Sequence, residues 1–302
     1  MKAMILAAGF GTRLLPYTLK RPKPLFPILN RPLLQLTAAR INKAGFTQIV
    51  VNCHHLQQQI TQKLKDKAGI ILQKEDKILG TGGGLRMALP HFGQEPVLVV
   101  NGDIYHTIDY TDVYRRHGES NADVTLVLHD YPRFNDVSVN DRLEIAGFNK
   151  PGNNSGQKND VLAFTGIHVI NPEVLESIPQ NTPFCIIDCY RKLLEKGGSI
   201  QAYQAKNHFW TDMGTPDDYL KLHAGLLSNR TPVYDELDDM IAEAPFVGIQ
   251  NASTAKDVTL LDWACVGKHA TIGAGATLQR SVIWDGAVIP AESVVKDTIV
   301  TA

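Results

Sequence analysis

Two cations, two carboxylates and a pair of glycine-bearing turns carry the chemistry available to this sequence. In the stretch Leu6 to Leu25, LAAGFGTRLLPYTLKRPKPL, an apolar run through Leu6, Ala7 and Ala8 enters a loop containing Gly9, Gly11, Thr12 and Arg13. Lys23 follows between Pro22 and Pro24. Glycines let a backbone turn sharply and bring its N–H groups close to an anion. Arg13 offers a planar, permanently charged fork and Lys23 a compact ammonium, so the two suit different oxygens of a polyphosphate. The flanking prolines stiffen the backbone that carries Lys23. The stretch reads as a cradle for the phosphates of a nucleotide. It is neither a Walker A loop, because Thr12 and Arg13 follow Gly11, nor a dinucleotide fingerprint, because Leu14 stands where a third glycine is required.

Two further stretches end in carboxylates. Val99-Val100-Asn101-Gly102-Asp103 is an apolar strand closed by glycine and aspartate, and Trp210-Thr211-Asp212-Met213-Gly214-Thr215 offers a second aspartate ahead of a helix that Thr215 would cap near Pro216. Magnesium takes hard oxygen ligands, usually one or two protein carboxylates completed by substrate phosphates, and Asp103 fits that use. Ahead of both lies Gly80-Thr81-Gly82-Gly83-Gly84, expected to expose backbone amides just before a helix and to admit a flat base or a phosphate.

The elements that must position these residues alternate. Met4 to Ala8, Gln48 to Asn52, Gly69 to Gln73 and Pro96 to Val100 read as strands, and Leu33 to Ala44, Leu56 to Lys65 and Leu85 to Leu89 as helices. Such alternation implies an α/β fold, a mostly parallel Rossmann-like sheet with helices on both faces, which binds ligands beyond the carboxyl ends of its strands.

A chain of 302 residues with 44% hydrophobic content and net charge -1 is expected to form one large domain and a smaller one. Its positive charges are scattered, so no nucleic-acid partner is expected, and no segment offers the roughly 20 apolar residues of a membrane span. The apolar run before Gly9 is too short for a secretory signal, and a cytoplasmic location is expected. Cys53, Cys185, Cys189 and Cys265 show neither a disulfide framework nor a metal-ligand spacing.

Taken in order, these motifs resemble those of the sugar-1-phosphate nucleotidyltransferases, which join a nucleoside triphosphate to a sugar-1-phosphate and release pyrophosphate. The resemblance implies that Arg13, Lys23 and Asp103 are catalytic and that Asp103 and Asp212 hold Mg2+. It places Leu6, Ala7, Ala8, Gly9, Gly11, Thr12, Glu75, Gly80, Thr81, Gly82 and Gly83 on the nucleotide. Asn101, Asn149, Lys150, Thr165 and Gly166 fall on the sugar side. Asn149-Lys150-Pro151 departs from the family's Glu-Lys-Pro, which alters the expected hydrogen bonding to sugar hydroxyls because an amide both donates and accepts. The sugar-1-phosphate oxygen would attack the α-phosphorus in line, with no protein nucleophile.

The tail has another character. From Val258 small or apolar residues recur near every sixth position, through Cys265-Val266-Gly267, Thr271-Ile272-Gly273, Ala276-Thr277-Leu278, Ser281-Val282-Ile283 and Ala287-Val288-Ile289. This resembles hexapeptide repeats, which coil into a left-handed parallel β-helix. About two turns are expected, packed on the catalytic domain or serving homo-oligomer formation. The organisation read from the sequence is a catalytic domain at 1–232, a linker at 233–250 and the hexapeptide segment at 251–302. Within the family, the motifs look most like uridylyltransferases acting on N-acetylmuramate-1-phosphate. The tail favours mannose- or heptose-1-phosphate guanylyltransferases instead. A catalytically silent protein that binds a nucleotide sugar is the alternative from another class.

Overall fold

The computed structural model describes residues 1–148 and 160–302. The chain divides into two compact units, each discontinuous in sequence. The first comprises Met1–Gly9, Thr37–Gly102 and Ile108–Trp210, and the second Phe10–Leu36, Asp103–Thr107 and Thr211–Ala302.

The first unit is built on one large sheet. Its principal strands are β1 (Lys2–Leu6), β2 (Gln48–Cys53), β3 (Ile70–Lys74), β4 (Val97–Asn101), β5 (Val124–His129), β6 (Asp160–Ile170) and β7 (Ile200–Gln204), in spatial order β3-β2-β1-β4-β6-β5-β7. β1 runs parallel to β2 and β4, β2 to β3, and β5 to β7, whereas β6 is antiparallel to β4 and β5. The central parallel strands β1, β2 and β4 are mostly apolar and buried on both faces, as in β1, where Ala3, Met4 and Ile5 are fully buried. The mostly parallel α/β sheet expected from the alternating elements is therefore present. The order reverses at β1, with β2 on one side and β4 on the other, and such a switch point is where open α/β sheets leave a crevice. In register, Leu6 at the carboxyl end of β1 faces Asn52 of β2 and Asn101 of β4.

Helices α1 (Leu33–Lys43), α2 (Gln57–Leu64) and α3 (Gly80–Ala88) connect the early strands. α3 differs from expectation: it begins at Gly80 instead of Leu85 and takes the glycine run into its body. Close packing is the reason. A Cβ at Gly82 would meet the Ile186 nitrogen at 3.1 Å, and one at Gly83 the Thr182 carbonyl at 2.6 Å. The amides of Gly82 and Gly83 donate to the Phe184 carbonyl at 2.9 and 3.2 Å, so they are not the exposed donors the sequence suggested.

The second unit contains the tail. Its strands stack in parallel: Ser253 pairs with Thr271 and Thr271 with Val288, 18 and 17 residues on, while Thr259, Thr277 and Val294 stack in the same way. This is the arrangement of a small parallel β-helix. Successive rungs turn their corners at stacked residues with positive φ. One column holds Asp257, Gly275 and Glu292, and another Asp262, Arg280 and Asp297. Inside runs an apolar column that includes Ala264, Val266, Ile272, Leu278, Ile283 and Ile289. Three rungs form, one more than expected, because the coil already includes Phe246–Val247 and Ser253–Thr254, which lie before the periodic region begins. Arg280 bonds Asp297 at 2.6 and 2.8 Å and also pairs with Asp262, lacing one corner column across the rungs.

A candidate nucleotide and phosphate site

Each unit holds its own group of candidate residues. In the first unit they lie at the carboxyl ends of β1 to β4. Asn52, the last but one residue of β2, accepts a hydrogen bond from the Ala7 amide at 2.8 Å and donates to the Glu75 carboxylate at 2.7 Å. The second oxygen of Glu75 accepts from the Leu79 amide at 3.1 Å, ahead of α3. Glu75 and Asn52 are both buried, so this seam of neutral and charged groups fixes the start of the signature loop against the entry to α3. A Cβ at Gly84 would meet the Asn52 amide nitrogen at 2.8 Å and the Glu75 carboxylate at 2.9 Å, so glycine here makes room for the seam. Gln73 supports the same helix by donating to the Gly84 carbonyl at 2.9 Å. Thr81 uses its hydroxyl to accept from the Ile186 amide at 3.0 Å, at the start of the helix Ile186–Glu195.

The first unit also carries the residues expected on the sugar side. Gly166 has φ +79°, and a Cβ there would meet the Asn101 side-chain nitrogen at 2.5 Å, so Asn101 lies directly over Gly166. The Thr165 hydroxyl is turned inward, donating to the Val127 carbonyl at 2.8 Å, while its own carbonyl accepts from the Trp210 indole at 2.9 Å. Trp210 packs edge-on against His129 and Tyr131, with ring centroids 4.9 and 5.3 Å away, and the His129 and His208 rings meet nitrogen to nitrogen at 3.1 Å. Burial, with the neighbouring His208 second, pushes His129 down to about 4, so it is neutral at physiological pH. Asn149 and Lys150 lie outside the described residues.

In the second unit, the signature loop folds through three short 3-10 turns, Thr12–Leu14, Tyr17–Leu19 and Lys23–Leu25. Gly11 takes φ +64°, and a Cβ on it would meet Thr18 at 2.9 Å and Lys23 at 3.2 Å, so the loop closes on itself where only glycine fits. Gly9, in the first unit, has open space around it. Lys23 Nζ donates to Asp103 Oδ2 at 2.7 Å, and its side chain is only 6% exposed against 35% for Asp103. Arg13 pairs with Asp212 at 3.2 Å, and Asp212 also accepts from the Gly214 amide at 3.1 Å. A Cβ at Gly214 would meet the Arg13 guanidinium at 2.6 Å. Thr215 caps the helix Pro216–Leu227 by accepting from the Asp218 amide at 3.1 Å, as its position before Pro216 suggested. The four charged residues thus form two ion pairs, each cation held by one of the two carboxylates proposed for a metal.

Among the described residues no three His, Cys, Asp or Glu side chains cluster as metal ligands, and a pair of carboxylates is what magnesium uses when substrate phosphates supply the rest. All four cysteines are free, with Cys53, Cys189 and Cys265 buried and Cys185 exposed. No helix among the described residues is long and apolar enough to cross a membrane. Asn52, Gln73, His129 and His208 were not singled out from the sequence. For Asn52 the available signal was a polar residue ending an apolar strand on the edge where ligands bind.

A family model described as nucleotidyl transferase matches residues 2–229. The N-acetylmuramate alpha-1-phosphate uridylyltransferase of Neisseria meningitidis is 32% identical, over 71% of this chain and 94% of its own length. The mannose-1-phosphate guanylyltransferase of Mycobacterium tuberculosis is 27% identical, over 97% of this chain and 82% of its own. A crystal structure of a putative glucose-1-phosphate thymidylyltransferase from Bacillus anthracis shares the fold with TM-score 0.65 at 20% identity, covering 78% of this chain and 97% of that one.

Proposed function

This chain belongs to the nucleotidyl transferase family, and on that premise we propose that it transfers a nucleoside monophosphate from a triphosphate to a sugar-1-phosphate, releasing pyrophosphate. The observation that carries this reading is the nearly buried Lys23 bonded to Asp103 at 2.7 Å, with Arg13 bonded to Asp212, on a loop closed at Gly11. Cations fixed in advance lose little freedom on meeting a polyphosphate, and transfer of a phosphoryl group rests on positioning and charge stabilisation. In this reading Arg13 and Lys23 bind the triphosphate. The segment from Leu6 to Gly11, with Glu75 and the start of α3, receives the nucleoside. Asn101 beside Gly166 meets the sugar. Asp103 and Asp212 would hold magnesium, which when bound neutralises phosphate charge. The substrates place the work in the cytoplasm, where nucleoside triphosphates are made.

For the base and sugar we favour uridine and N-acetylmuramate-1-phosphate or a similar sugar, supported by the 32% identity to the Neisseria enzyme. The Mycobacterium relative, which aligns with 97% of this chain and so spans its tail, supports a guanylyltransferase as the second reading. Thermal shift with UTP, GTP, CTP and dTTP selects the base, because a ligand of the native state raises its stability by mass action. Pyrophosphate release is then measured with magnesium, the selected triphosphate, and N-acetylmuramate-, glucose- or mannose-1-phosphate. Saturable binding with no release for any of these sugars would identify a silent binding protein instead.

A further inference from the structure

Within the second unit an indole ring of the coiled tail packs against the phosphate-binding loop. Trp284 follows the strand Thr277–Ile283, which pairs in parallel with strands on both sides, and its own amide donates to the Val300 carbonyl at 2.8 Å. The ring is therefore mounted on a rigid rung, and it is 2% exposed. Three side chains of the loop close around it. Phe26 meets it edge-on with centroids 4.8 Å apart, Tyr17 lies at 6.3 Å, and the Arg21 guanidinium carbon sits 4.6 Å above the ring. Arg21 also reaches Asp285 at 3.6 Å, and Asp285 is fixed in turn by accepting the Lys268 amide at 3.0 Å. Lys23 lies between Arg21 and Phe26 in sequence.

The loop's own secondary structure is three isolated 3-10 turns, which are held by local hydrogen bonds and have little stiffness of their own. We propose that Trp284 and Asp285 are positioning residues for nucleotidyl transfer: they hold Tyr17, Arg21 and Phe26 so that Lys23 and Arg13 stand ready for the triphosphate. This rests on the reading that Arg13 and Lys23 bind that triphosphate. Neither Trp284 nor Asp285 touches substrate in this scheme. A displacement of ~1 Å in a positioned group can cost about a hundredfold in rate. The tail then has a role in the reaction as well as in the fold.

The test compares Trp284→Leu, Trp284→Phe and Arg21→Met in the full chain with the wild type. Each is assayed with magnesium and whichever of UTP, GTP, CTP or dTTP gives the largest thermal shift, varying the triphosphate at saturating sugar-1-phosphate and then the sugar-1-phosphate at saturating triphosphate. For Trp284→Leu the expected result is a fall of about tenfold or more in kcat/KM for the triphosphate, with the KM for the sugar-1-phosphate unchanged. Trp284→Phe, which keeps an aromatic face for Arg21 and Phe26, should recover most of the loss. Arg21→Met, whose side chain is partly exposed, should show the same selectivity to a smaller degree. A folded Trp284→Leu protein with wild-type constants would overturn the proposal. If Trp284→Leu does not fold, Arg21→Met decides: wild-type constants overturn the proposal, and a selective loss for the triphosphate supports it. Lys23→Met separates the two readings. Full turnover in that variant removes the phosphate-binding role itself, whereas a lost turnover beside unaffected Trp284 and Arg21 variants removes only the positioning role.

Discussion

The seam Ala7–Asn52–Glu75–Leu79 and the pairs Lys23–Asp103 and Arg13–Asp212 belong to different units and are held by different physics. The seam is buried and works through hydrogen bonds of fixed direction, an amide at its centre and a carboxylate with both oxygens engaged. The pairs work through charge: Arg13 is 56% exposed along its side chain, and each bond joins full charges. Directional bonds in a dry setting suit holding the backbone of Ala7 and Leu79 in place where a base is to be received. Paired full charges suit phosphates, which differ little from one nucleotide to another. On the proposed function, the difference gives base selectivity to the first part and turnover to the second.

Lys23→Met breaks the comparison hardest. It should lower kcat/KM by about two to three orders of magnitude, ~3 to 4 kcal/mol of transition-state stabilisation, while the melting temperature stays near the wild type. Steady-state kinetics beside calorimetry checks both halves. Glu75→Gln acts on the other part. A glutamine carbonyl can serve only one of the two donors that Glu75 now satisfies, so about 1 to 3 kcal/mol of stability should go, with KM for the triphosphate raised more than kcat is lowered. If Glu75→Gln instead lowered kcat alone and left stability untouched, the assignment of the seam to recognition would fail.

Gly84→Ala probes the seam from the helix side. Alanine ordinarily favours a helix over glycine, yet here its methyl would press on Asn52 and Glu75 at under 3 Å, and a net loss of about 1 to 3 kcal/mol in chemical denaturation is expected. The control is Gly118→Ala in the helix Tyr110–Ser120, where nothing lies within 4 Å and a gain of about 0.5 to 1 kcal/mol is expected. The smallest effect is ionic. Raising salt from about 0.05 to about 0.5 M should increase KM for the triphosphate a few-fold, because it screens the partly exposed charges, while the loss caused by Glu75→Gln stays the same size.

Legibility followed the same line. Gly11, Arg13, Lys23, Asp103 and Asp212 could be singled out because charge and glycine declare themselves locally, and the structure pairs those charges. Asn52 offered only a polar residue at the end of an apolar strand, because its importance comes from the parallel register that sets it opposite Leu6, a relation between strands far apart in sequence. The glycine run in α3 was misread as a loop, since its close approach to Thr182 and Ile186 is likewise a tertiary fact. The large sheet was readable from its alternating elements, and the six-residue period announced the coiled tail. That period describes the inward column only. It is silent about Trp284, which faces the other way toward Phe26 and Tyr17.

The order in which the second unit is assembled matters for a chain made from one end. Residues 10–36 emerge from the ribosome early, but Phe26 meets its partners Tyr219 and Trp284 only after most of the protein has been synthesised. At ordinary elongation rates that interval is on the order of tens of seconds. For that time the nascent loop carries its cations without the rings that brace it, so a polypeptide released early from translation would keep the motif and lack the geometry.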